Sequence, residues 1–209
     1  MAVLIQGDAW FGQNHAGISP RTAGAYGAMT VGRRWWWPFL ILCFVLISAE
    51  LTHAQRQPTE YEIKAAFVYN FAKFVEWPPE AFSKPSDSVR LCVLGNHSLA
   101  SDLQQLIAGK TIGTRAVEVQ RVSPLQITGC HVLFVGTLES WRLQQVLESA
   151  RGTHVLTVGD IPGFIEQGGV INFILDQNRI RFEVNLKAAQ DAGLKLSSKL
   201  LSLAKAVEM

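Results

Sequence analysis

The sequence predicts a single-domain α/β sandwich with a mostly parallel central sheet, an antiparallel C-terminal hairpin and flanking helices. Two observations predict it. First, the short apolar runs VRLCVL (89–94), AVEVQRV (116–122), HVLFV (131–135) and HVLTV (154–158) alternate with stretches of helical character. Such alternation builds parallel strands joined by crossover helices. Second, the stretch from Gly159 to Asn185 ends in two segments of strict period two. Ile171, Phe173 and Leu175 form one apolar row, and Ile180, Phe182 and Val184 form the other. Asp176-Gln177-Asn178-Arg179 joins them, with Asn178 the residue best suited to a positive φ. Gly168-Gly169, just before the first row, allows a sharp bend where a side chain would clash.

The elements follow in order. Glu60 to Val75 reads as a helix capped by Thr59, with Glu60 and Glu62 suited to its first turn and an apolar stripe of Ile63, Phe67, Phe71, Phe74 and Val75. Trp77-Pro78-Pro79 stops it. Such a stripe is more often core than binding groove. Gly95 to Ser98 turns the first buried strand into a helix from Leu99 to Ile107, for which Ser98 is the expected cap. Glu139 to Ala150 is expected as a surface helix with Trp141 and Leu143 to Leu147 facing inward. Ala188 to Val207 reads as a C-terminal helix interrupted at Gly193, with Leu194 and Leu201 off its main apolar face.

The first quarter of the chain has a different character. Residues 1–28 lack periodicity and read as a mis-assigned extension, with translation starting at Met29. Residues 29–54 have the layout of a secretory signal peptide: Arg33-Arg34, an apolar run from Trp35 to Ile47, and small residues at Thr52 and Ala54. That run falls short of the ~20 residues a membrane span needs. The mature chain is then residues 55–209, one domain by size.

It carries 16 of the 19 basic and 15 of the 17 acidic groups. So even a balance argues against nucleic-acid binding, which clusters Lys and Arg on one face. Cys92 and Cys130 are the mature cysteines. An oxidising compartment favours a disulfide between them; two buried thiols, or a metal site with His97 and His131, are the alternatives. Cys130 and His131 would face opposite sides of one strand, which weakens the metal reading.

No chemistry-bearing motif stands out. Gly95-Asn96-His97-Ser98 lacks a dinucleotide glycine pattern, and Gly109-Lys110-Thr111 follows a helix where a phosphate loop would precede one. A strand-embedded cysteine is a poor nucleophile. Among Asp160, Glu166, Asp176 and Glu183, only Asp160 stands at a plausible cleft, beyond the C-terminus of a strand. The expectation is therefore a non-enzymatic module that needs no cofactor and no metal. Its candidate partner or ligand surface comprises Trp77, Phe82, Asp160, Phe164, Arg181, Glu183, Leu194 and Leu201. A small-ligand sensor with an apolar cleft near Asp160 and Phe164 is the alternative.

The segments EYEIKAAFVYNFAKFVEWPPEAF, LCVLG, CHVLFVG, LTVGDIPGFIEQGGVINF and NRIRFEVNLKAAQDAGLKLSSKLLSLAKAV resemble the YfiR family of exported bacterial proteins, from Glu60 to the C-terminus. The resemblance implies a periplasmic regulator that represses the periplasmic domain of an inner-membrane diguanylate cyclase. It also implies a homodimer, and capture by an outer-membrane lipoprotein. Through that circuit cyclic-di-GMP output and biofilm formation fall. Cys92 and Cys130 match one disulfide of the characterised repressor, and the mature chain has no second pair.

Overall fold

The computed structural model describes residues 56–137 and 140–208. The expected extension (1–28), the signal segment (29–54) and the mature start at Gln55 lie outside the described residues, as does Glu139. Among the described residues no helix is long and apolar enough to cross a membrane.

Thr59 opens helix α1 (Glu60–Lys73) through a capping box. Its hydroxyl accepts from the Glu62 amide at 3.2 Å, and its own N–H donates to the Glu62 carboxylate at 2.6 Å. α1 ends two residues earlier than expected because Val75–Glu76 form a short strand, β1, and a 3₁₀ turn (Pro79–Ala81) follows the proline stop. Next come β2 (Val89–Leu94), α2 (His97–Ile107), β3 (Thr111–Ile112), β4 (Arg115–Val122), β5 (Val132–Val135) and α3 (Ser140–Ala150). β6 (Leu156–Gly159), β7 (Ile171–Asp176), β8 (Arg179–Asn185), α4 (Leu186–Asp191), β9 (Lys195–Leu196), α5 (Ser198–Leu203) and β10 (Ala206–Glu208) complete the chain. Asn96 caps α2 in place of Ser98, its side-chain oxygen accepting from the Leu99 amide at 2.9 Å.

Strands β4, β2, β5, β6 and β7 lie side by side in that order, all parallel. β8 adds antiparallel to β7, β10 runs parallel to β8 at one edge, and β3 turns back on β4 at the other. This is the winding of an open α/β sheet whose strand order reverses once, between β4 and β5 on either side of β2. It bears out the α/β architecture expected from the sequence.

α1, α2 and α5 pack on one face. There Phe67, Phe71, Phe173 and Phe182 meet with ring centroids 4.8 to 5.9 Å apart, so the aromatic stripe of α1 is core. α3 covers the other face over Cys92, Leu133, Val135 and Phe164.

Asn178 takes the positive φ expected of it (60°), and Gln177 (48°) shares it, because a two-residue hairpin turn that matches strand twist needs positive φ at both positions. Two local expectations are corrected. The C-terminal segment is not one interrupted helix. β9 pairs with β1, and β10 with β8, so main-chain bonds to distant strands displace helical ones. Trp141 does not face inward: it is 61% exposed at the start of α3, while Leu143, Val146 and Leu147 carry that helix's buried side.

Candidate functional site

The sheet separates the candidate residues. Asp160 and Glu183 lie at the C-terminal end of the parallel strands, while Trp77 and Phe82 lie at the N-terminal end, against His131 just before β5.

At the first end, Asp160 follows β6 directly and meets Lys64, a residue the sequence reading missed. Lys64 is only 4% exposed, yet its Nζ donates to Asp160 Oδ2 at 2.6 Å and to Glu60 one turn earlier on α1. The ammonium also stands 5.8 Å from the Tyr61 ring centroid and 5.9 Å from that of Phe173. Burial disfavours the charged lysine, but the bonds and charges of Asp160 and Glu60 outweigh it and hold the ammonium above its ordinary range. Because the folded value is raised, the pair's contribution to stability persists through neutral pH and disappears only as pH rises through that value. The signal in the sequence was a lysine four residues after Glu60, on the side of the helix that carries Ile63 and Phe67.

Breaking this pair from one side should cost more than removing its charge. Asp160→Ala leaves Lys64 buried with one exposed partner, and a partner-stripped buried charge costs about 3–5 kcal/mol. The Asp160 side chain is 32% exposed, so screening trims the expected loss to about 2 kcal/mol. Lys64→Met should fall within about 1 kcal/mol of wild type. Urea melts of both variants check this; equal losses would refute the asymmetry.

Glu183 accepts from Asn172 Nδ2 at 3.1 Å, and the buried Asn172 accepts from the Ile161 amide at 3.2 Å. Glu183 is thus tied through Asn172 to the loop that follows Asp160, while Arg181 stays exposed beside Ile174. Where the strand order reverses, the chain leaving β5 stays close to the chain leaving β2. The Gly136 amide donates to the Leu94 carbonyl at 2.9 Å, and a Cβ on Gly136 would stand 3.2 Å from Asn96 Cβ.

At the N-terminal end a planar stack forms. Arg115 lies 3.7 Å from the Phe82 ring centroid, and Phe82 stacks on His131 at 4.4 Å. Trp77 meets the same imidazole edge-on at 6.1 Å. His131 Nδ1 accepts from the Arg90 amide at 3.1 Å, which leaves Nε2–H to donate to the Ala81 carbonyl at 3.2 Å. Burial pushes the His131 pKa down, and the charges of Arg90 and Arg115 add to that against the bond to Ala81 and the charge of Asp87. A depressed folded value means that the neutral imidazole stabilises the fold above the ordinary histidine range. The contribution is lost as pH falls from there through the folded value. The melting temperature should therefore drop on acidification from about pH 7 to about pH 5, with a shallower drop in His131→Asn. Parallel melting curves for the two proteins across that window would count against it.

Two candidates for a docking surface are corrected. Phe164 is wholly buried, and Leu194 is in the first core. A glycine-rich loop reads as surface, which is why the sequence alone sets Phe164 outside. In the fold its ring fills the space that Gly159 and Gly169 leave: a Cβ on either would stand 2.4 or 2.1 Å from ring carbons. Leu201 is half-buried against the first core, and Trp77 and Phe82 are half-buried as well. Among the described residues the exposed large apolar side chains, none of them in that candidate set, are Tyr61, Leu125, Trp141, Leu175, Leu203 and Val207. Cys92 and Cys130 form a disulfide with Cα atoms 5.7 Å apart, so neither supplies a thiolate nucleophile or a metal ligand.

Two solved structures show similarity to the chain. A conserved domain protein from Vibrio cholerae O1 biovar El Tor is 10% identical at a TM-score of 0.50, covering 73% of this chain and 61% of that one. The ABC domain in complex with L-Trp from Streptococcus pneumonia is 15% identical at a TM-score of 0.41, covering 57% of this chain and 55% of that one. The chain thus spans less than two thirds of the length of either, and at such identity the first similarity speaks to the fold alone. The family model described as YfiR/HmsC-like matches residues 61–205, from the first turn of α1 to the residue before β10. That match takes in both ends of the sheet, the disulfide and the loop around Phe164, and the chain belongs to the YfiR/HmsC-like family.

Proposed function

We propose that this protein is a periplasmic regulator that acts by contact and not by catalysis. It binds and represses the periplasmic domain of an inner-membrane diguanylate cyclase, lowering cyclic-di-GMP signalling and biofilm formation. The observation that carries this reading is the family match over residues 61–205, since membership suggests a regulatory role. The disulfide supports export through a signal segment near Met29, because such bonds persist in oxidising compartments. The protein works as a homodimer, and an outer-membrane lipoprotein is the partner that would withdraw it. Repression is a population shift: the regulator binds an inactive arrangement of the cyclase more tightly than the active one. Apolar residues available for contact include Trp77 and Phe82 in their stack, and the exposed Leu125 and Trp141.

The test is capture from membrane extracts with the purified protein as bait, followed by cyclic-di-GMP measurement on co-expression with the captured protein. Retention of an inner-membrane protein with a cytoplasmic cyclase domain, and a lowered cyclic-di-GMP level, support the reading. Retention of no membrane protein at moderate salt overturns it.

One observation favours a second reading, a small-ligand sensor. A cleft of about 500 Å³ opens beside the Phe164 loop, lined by Leu147, Val155, Thr157, Gln167, Val170 and Ala188 among others. It does not include Asp160. Saturable thermal shifts by a metabolite, in a protein that captures no cyclase, would put this reading first.

A further inference from the structure

Residues 77–88 cross the N-terminal end of the parallel strands, from β1 to β2, with one 3₁₀ turn as their regular structure. Different side chains hold the two halves of this segment. Arg115 Nη1 clamps the second half, donating to the Lys84, Pro85 and Asp87 carbonyls at 3.2, 2.9 and 2.8 Å. The first half is tied to the sheet through His131, whose Nε2–H donates to the Ala81 carbonyl and whose ring carries the Phe82 stack and the Trp77 edge contact. The other nitrogen, Nδ1, accepts from the Arg90 amide. One neutral imidazole thus serves β2 as an acceptor and the crossing segment as a donor. His131 is 3% exposed, with Phe82 lying flat against it.

Protonation ends that division of roles. An imidazolium has two donors and no acceptor, and turning the ring over changes nothing. Nδ1–H would meet the Arg90 N–H across 3.1 Å, donor against donor, with the amide left unsatisfied in the interior. The charges around the ring oppose a further cation, for Arg90 on β2 and Arg115 on β4 stand against the single carboxylate of Asp87. Glu80 and Lys84 are exposed on the segment, and His154, just before β6, is bonded to the Ala192 carbonyl at 2.9 Å. The closed segment also buries the Trp77 Nε1–H with no acceptor among the described residues, a donor that opening hands to water.

We propose that His131 is a proton-released latch: on protonation its ring leaves Arg90 and Ala81, and residues 77–82 lift from the sheet and uncover Trp77 and Phe82. The release is local. β1 stays paired with β9 at one end, and at the other the Arg115 clamp uses a guanidinium and carbonyl oxygens that do not titrate. The open state binds the proton with ordinary histidine strength and the closed state more weakly, so the open fraction grows as pH falls below about 6.5. Acid thereby dismantles one of the surfaces named for partner contact. That consequence rests on the proposed function, whereas the latch itself is read on the purified protein without a cyclase.

Hydrogen exchange between about pH 7 and about pH 5, corrected for the intrinsic pH dependence of amide exchange, tests the latch. The Arg90 and Phe82 amides should lose protection by up to about tenfold per pH unit in the lower half of that range. Phe134 in β5 and Asp87 in the clamped half should keep theirs. His131→Asn leaves an oxygen able to accept from Arg90 but no titrating group, so protection at Arg90 and Phe82 should be equal at the two pH values. If that variant does not fold, the wild-type pattern decides alone. Three results overturn the proposal: protection at Arg90 and Phe82 that ignores pH, an equal loss at Phe134, which is global unfolding, or an acid response that survives His131→Asn. Failure to capture a cyclase with the acid response intact counts against repression alone.

Discussion

Gly169→Ala should destabilise the protein by about 3 kcal/mol or more, a large share of the stability of a domain this size. The new methyl would stand 2.1 Å from Phe164 Cδ1 and Cε1, far inside any contact a carbon can accept. The ring cannot swing away, because it is wholly buried among the residues of the second core and lies against Gly159 as well. Its backbone is fixed as well: the Gly169 amide donates to the Phe164 carbonyl at 2.9 Å, and the Phe164 amide donates to Ile161 at 3.2 Å. Gly159→Ala, at 2.4 Å from the ring, should behave alike. Phe164→Ala alone should cost about 3–5 kcal/mol through the cavity it leaves. The decisive result is the combination. Once the ring is gone, Gly169→Ala should cost little more, giving a coupling of about 2 kcal/mol or more in a double-mutant cycle. Additive losses in urea melts of the four proteins would show that the glycine serves the backbone and not the ring.

That pair of glycines also shows where sequence reasoning reached and where it stopped. Alternation made the β7–β8 hairpin legible, because period two is set by the strand itself: Phe182 and Val184 are buried on either side of the half-buried Glu183, and Ile171 and Phe173 are buried as expected, although Asn172 between them is buried too and Leu175 is exposed. α1 was legible for the same local reason: Thr59, Glu62 and the phenylalanine stripe are all within one element. Phe164 was not, since its burial depends on Gly159 and Gly169, which lie on either side of it in the chain and gain meaning only once they face the ring. Lys64 and His131 were hidden likewise. A lysine within a helix and a histidine beside a cysteine are ordinary until Asp160 and Phe82 arrive from distant segments. The C-terminal strands failed from the same cause, for β9 and β10 are two and three residues long and exist through partners at Val75–Glu76 and Glu183–Asn185.

Replacing both cysteines by alanine should lower stability by about 4 kcal/mol in oxidising buffer. The cross-link joins residues 38 apart, and closing a loop of that length in the unfolded chain gives about this figure by the chain-entropy estimate. The site supports full expression of the effect. Cys92 lies within β2, between β4 and β5, and is opposite Leu133 in register, so the bond joins the central strand to the start of its neighbour. Both cysteines belong to the second core, and alanine there leaves no unsatisfied polar group. For a chain of this size the loss corresponds to roughly 8–16 °C in melting temperature. The entropic origin makes a further demand. Once wild type is fully reduced, it should melt near the double-alanine protein, because the unfolded chain is then equally free in both. Two outcomes would refute the account: equal melting of the oxidised wild type and the variant, or a gap that persists after complete reduction. Under this account redox state acts on the regulator through the fraction folded. Cys92 is almost fully buried, so a reductant reaches the bond only when β2 and its neighbours open.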